Sequence, residues 1–259
     1  MSPKDLELYR QEFEYYKEIM REYMEKNESY LLGDPKGLKL SRSLLDRFVW
    51  GWVEMAHRSM NYDINYSAMR WFMEMMMGPA VTTVTAAVLT GIYDYPPNAL
   101  RELFEGIELA YALDVKPDIR GLTMGQKLRI LEKCAKPNSH ERKPLIEFAG
   151  ASFNPPTRQM MTRFYRELSD FAHAPGYVAR GFKTGRLSDH FPPSFREMME
   201  KPAMKDYVPE RWLVPTFELK KLQEDDGTVD QLTLLFETFS SLARMIYDGW
   251  ESEVAKPKP

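Results

Sequence analysis

Only one cysteine, Cys134, occurs in 259 residues, so the chain holds no disulfide framework and no thiolate metal cluster. Neither sign of charge dominates. The 35 Lys and Arg stand against 38 Asp and Glu, and the net charge of −3 excludes a globally basic nucleic-acid coat while leaving room for a local basic patch. No charged-then-apolar leader follows Met1, so a cytoplasmic protein without a membrane partner is expected. Long hydrophobic runs are scarce too. The longest uncharged run, Met75 to Tyr93, has 19 residues, close to the ~20 that span a bilayer, but Gly78-Pro79, Gly91 and four threonines dilute it. A helix buried on most sides of a bundle is expected there. No alternation of apolar and polar residues persists long enough for a sheet, and no repeat or low-complexity tract is visible. P-loop, dinucleotide fingerprint, serine elbow and zinc spacing are all missing, and no metal or cofactor is expected.

What is present is helical punctuation over an ample apolar content of 44%. Ser2-Pro3 with Asp5 opens a helix running to about Ser29, and Gly33-Asp34-Pro35 with Gly37 breaks it. A second helix is expected from Ser41 to Ser59, and a third from Ser67 to Thr90, bent where Pro79 lacks a backbone donor. Pro96-Pro97 should stop the third, with Asn98 capping a fourth from Ala99 to Asp114. Thr123-x-x-Gln126 and Thr228-x-x-Gln231 are capping boxes, and Asn154-Pro155 is a third start signal. After the second box, Leu232, Leu235, Phe236, Phe239, Ala243, Ile246 and Trp250 recur at spacings of three and four, the mark of a core helix. Pro175 to Pro215 should be mostly loop, with a short helix near 195–200. The expected fold class is all-α: residues 1–60 as an N-terminal helical extension packed on a bundle formed by 61–259.

One helical face carries groups suited to chemistry. In the helix opened by Asn154, Met161, Phe164, Leu168 and Phe171 face the core, while Arg166 and His173, seven apart, lie about 20° from each other on the opposite side. Thr162, Arg163, Ser169 and Asp170 fill the same polar stripe. From Arg158 to Arg186 the chain has six basic residues, Arg180, Lys183 and Arg186 among them, against two acidic ones, a local +4 on an acidic protein. A phosphate-binding site requires such a basic island.

Arg166-Glu-Leu-Ser-Asp-Phe-Ala-His173 resembles the arginine, six residues, histidine signature of the HEPN superfamily of helical bundles. Tyr165 to Ser169 followed by His173-Ala174-Pro175 is also similar to the Y-R-x-L-S-x-x-x-H-x-P box of uncharacterised helical proteins near that group. Leu100-Arg101-Glu102-Leu103-Phe104-Glu105, with Tyr111 beyond it, resembles the helix that precedes the box in the same proteins. The resemblance spans roughly Tyr66 to Trp250. It implies an up-down bundle that pairs as a homodimer and a metal-independent endoribonuclease of a toxin, stress or defence kind, with Arg166 and His173 catalytic. Arg163, Ser169, Arg180, Lys183 and Arg186 would contact RNA, and Arg101, Glu105 and Asp170 would support the site. The residue types suit that chemistry: a neutral imidazole can take a ribose 2′-hydroxyl proton, and a guanidinium can grip a phosphate. Active members commonly carry Asn, Asp or His directly after the arginine, where this chain has Glu167.

Three simpler readings stand beside this one. Arg101 and Glu105 can form an ordinary i,i+4 ion pair, or Glu105 can reach across the bundle to fix Arg166 or Arg101. The same fold can serve as a non-enzymatic dimer or adaptor for protein contacts. Glu54-x-x-His57 and Asp170-x-x-His173 also resemble the paired acid-x-x-His spacing of di-metal bundle oxidases. The 17 methionines are expected to fill core gaps, and His140 to lie in a solvated loop.

Overall fold

The computed structural model describes residues 3–91, 93, 95–134, 140–172 and 228–255. Among them there is no strand, and the chain is an all-α bundle. Helix α1 is Pro3–Gly33. Asp34 then caps α2 (Pro35–Arg42), its carboxylate accepting from the Lys36 amide at 2.8 Å and the Gly37 amide at 3.4 Å. The second helix thus begins six residues earlier than expected, because Asp34 and Pro35 are a cap and a first-turn proline rather than a loop. Gly37 is tolerated inside it because a Cβ there would collide with the Tyr30 carbonyl of α1. The helix continues through a π-helical stretch, Ser43–Val49, into α3 (Trp50–Ser59).

Helix α4 (Ala68–Phe72) starts at Ser67, whose hydroxyl accepts from the Arg70 amide at 3.1 Å. It runs through a second π-helical turn, Met73–Met77, into α5 (Gly78–Leu89). Pro79 has no N–H for the carbonyl one turn back, and the wider turn accommodates the mismatch. Trp52 of α3 donates its Nε1–H to the Met73 carbonyl at 3.1 Å. Residues 68–89 form the one helix among those described that is long and apolar enough to cross a membrane. Its Met69, Met73, Val84 and Val88 are fully buried in the protein core, but Met75 and Met76 are more than half exposed and only 39% of its apolar window is buried, so it is less enclosed than expected.

Gly91, at φ 76°, closes this segment. Pro96-Pro97 then lie inside the first turn of α6 (Tyr95–Val115) instead of ahead of it. Helices α7 (Met124–Cys134), α8 (Arg142–Ala151), α9 (Pro155–Ala172) and α10 (Thr228–Val254) follow. Gln126 Oε1 accepts from the Thr123 amide at 2.9 Å, and Asn154 Oδ1 from the Thr157 amide at 2.9 Å, as the capping signals require. Helix α8 was not expected. The stretch from 175 to 215 lies outside the described residues.

Helices α6 and α10 form the centre. All seven apolar residues marked on α10 are buried, and Phe48 from the π-helical stretch meets Phe236 at a tilt and Phe239 edge-on, with ring centres 5.3 Å and 5.5 Å apart. Leu40, Leu44 and Met55 lie in that same buried cluster. One polar group ties four elements together. The buried Asp114 carboxylate of α6 accepts from the Ala68 and Met69 amides at 2.8 Å and 3.1 Å, and from Ser67 Oγ at 3.0 Å. Trp250 Nε1 donates to it at 2.9 Å, and the fully buried Lys127 of α7 at 2.7 Å. Five donors on one carboxylate satisfy its lone pairs, which is what makes a buried charge tolerable.

Candidate functional site

Helix α9 presents its apolar stripe inward and its basic stripe outward. Met161, Phe164 and Leu168 are buried, and Phe164 meets Phe104 of α6 edge-on at 5.2 Å. On the outer side Arg166 is exposed and makes no hydrogen bond or ion pair with a described residue. Arg163 is also exposed, and its Nε donates to Glu167 Oε1 at 2.9 Å. Arg158 is engaged at the end of α8, donating to the Gly150 and Ala151 carbonyls at 3.1 Å and 3.2 Å. Ser169 and Asp170 occupy the last turns of α9, with side chains outside the described set. His173, Arg180, Lys183 and Arg186 lie outside the described residues.

The next residue back, Tyr165, faces the other way. Its hydroxyl donates to Glu105 Oε1 at 2.8 Å and accepts from Arg101 Nη2 at 3.1 Å, with the Arg101 guanidinium 5.4 Å from the ring centre. Arg101 and Glu105 also form the i,i+4 pair at 3.5 Å, and Arg142 of α8 reaches the second Glu105 oxygen. Glu105 therefore does cross between helices, but its partners are Tyr165 and Arg142 and not Arg166. Tyr165, Arg142 and the α8 contact had no local signal, since the partners stand far apart in the chain. One turn beyond Glu105, Glu108 is 5% exposed, and burial pushes its carboxyl up to about 8. Apolar flanks gave no warning of it.

No family model, curated protein or solved structure matches the chain. Arg166 and Arg163 offer exposed guanidinium donors of the kind that bind phosphate oxygens two at a time. Behind them, the buried Met161, Phe164 and Leu168 stripe sets the rotation of α9, and the Arg101–Glu105–Tyr165 links reinforce it, with Arg166 on the outer side.

The acid-x-x-His pattern fares differently. Glu54 is engaged by Arg58 at 3.7 Å and by Arg244 of α10, and His57 is exposed beside it. Among the described residues no group of three or more His, Cys, Asp or Glu could hold a metal ion. Cys134 is buried, and that burial pushes its thiol up, away from the reactive thiolate.

Proposed function

We propose that this chain binds RNA along the outer face of α9 and cuts it without a metal, with Arg166 and His173 as the acting pair. The observation that carries the reading is Arg166: an exposed arginine with no described partner, on a helix whose rotation is pinned from behind by Tyr165. The net +4 of the segment from Arg158 to Arg186 supports it. In this reading the neutral His173 imidazole removes the ribose 2′-hydroxyl proton, and the 2′-oxygen attacks phosphorus. The P–O5′ bond breaks, the leaving 5′-oxygen takes a proton from water, and a 2′,3′-cyclic phosphate remains. Arg166 holds the non-bridging oxygens as charge grows on them.

The test is end-labelled single-stranded RNA incubated with purified protein in chelator. His173→Ala should abolish cleavage and retain RNA binding, whereas Arg166→Ala should weaken both. Undiminished cleavage by the double variant would refute the assignment, as would a wild-type protein that neither binds nor cuts.

A further inference from the structure

We infer that the outer two-thirds of α1 is the seam of a parallel coiled coil with a second copy of this chain. Leu6, Phe13 and Met20 alternate with Tyr9, Tyr16 and Tyr23 at spacings of three and four, which is a heptad pattern with these residues at positions a and d. Within one chain Phe13 stays 65% exposed, with the Lys17 ammonium over its ring and no apolar side chain among the described residues packed on it. At the next a position the pattern meets the protein body. Asn27 is buried there, donating to the Val88 and Leu89 carbonyls at 2.7 Å and 2.9 Å and accepting from Tyr93 Oη at 2.7 Å. From Leu6 to Tyr23 the seam spans about 26 Å of helix. A helix of that length draws most of its stability in water from a packed apolar face, and a second copy of the same helix would supply one.

Charge identifies the partner. Arg10 and Lys17 stand at e positions, and Asp5 and Glu12 at g positions. A parallel pair of copies sets g of one heptad against e of the next on the other helix, giving Asp5 opposite Arg10 and Glu12 opposite Lys17. An antiparallel pair would set e against e and g against g, with like charges throughout. In the single chain Lys17 makes an exposed i,i+3 pair with Glu14 at 2.7 Å and lies 5.2 Å from the Phe13 ring centre, exposed contacts that are weak and easily exchanged.

Sedimentation equilibrium on the full chain tests it. The wild type should show twice 30.3 kDa. Phe13→Glu and, separately, the pair Arg10→Glu with Lys17→Glu should raise the dissociation constant about tenfold or more, with unchanged melting of the core. Adding Asp5→Lys and Glu12→Lys to the second variant should restore the dimer. A monomeric wild type, a dimer indifferent to these changes, or failed rescue in a folded protein would each overturn the inference.

Discussion

Glu108 should make this protein less stable as pH rises through neutrality. Its carboxyl is 5% exposed, makes no hydrogen bond or ion pair with a described residue, and is raised by burial from an ordinary 4.5 to about 8. Arg101 and Glu105 precede it on the same stripe of α6, and the Arg142 charge next to them is taken up by Glu105. The folded state thus holds a proton on Glu108 that the unfolded chain has released between those two values. Stability must fall by up to ~1.4 kcal/mol per pH unit across that window. Between pH 5.5 and 7.5 the loss comes to ~2.5 kcal/mol, which for a chain of this size moves the melting temperature by roughly 5–10 °C. Urea denaturation of the wild type and Glu108→Gln at the two pH values isolates the effect, because every other titrating group is common to both. The glutamine amide should cost ~1–3 kcal/mol at both pH values, leaving the slope alone informative. Equal pH dependence in the two proteins would refute the reasoning.

The Asp114 hub and two glycines offer further tests. Asp114→Asn leaves the Lys127 ammonium buried without its counter-ion and should cost ~3–5 kcal/mol in urea denaturation, with Asp114→Asn/Lys127→Met recovering part of it. Gly106→Ala should destabilise by ~1–3 kcal/mol despite alanine's helix propensity, because a Cβ there would run into the buried Phe72 ring. Gly51→Ala, in a helix interior with nothing within 4 Å of the added methyl, should instead stabilise by ~0.5–1 kcal/mol. Thermal melts that move both glycine variants in the same direction would contradict this.

Much of the helical order was legible because its signals are local. The capping box at Thr123, the Asn154 cap and the apolar spacing along α10 each lie within a few residues of what they determine. Boundaries failed where proline had two readings. Pro35 and Pro96-Pro97 begin helices here, since the first turn needs no donor from them, yet the same residues can serve as stops. Helix α8 was hidden because it carries only two buried apolar residues, Leu145 and Ala149, too few to set a periodicity.

The site divides along the same line. The outward face of α9 follows from helix geometry alone, and Arg166 and Arg163 are exposed as that geometry requires. What holds the face in place could not be read locally, because Tyr165 and Glu105 are 60 residues apart and meet only when α6 packs on α9. Their bond has a consequence for the orientation of Arg166. The buried Met161, Phe164 and Leu168 stripe already places Arg166 on the outer side, and the Tyr165 anchor between Arg101 and Glu105, about 100° from Arg166, adds a second hold on that rotation. An arginine held on the outer side in this way is displayed to whatever anion approaches. If Tyr165→Phe lets α9 roll, phosphate affinity at Arg166 should fall even though the guanidinium itself is untouched.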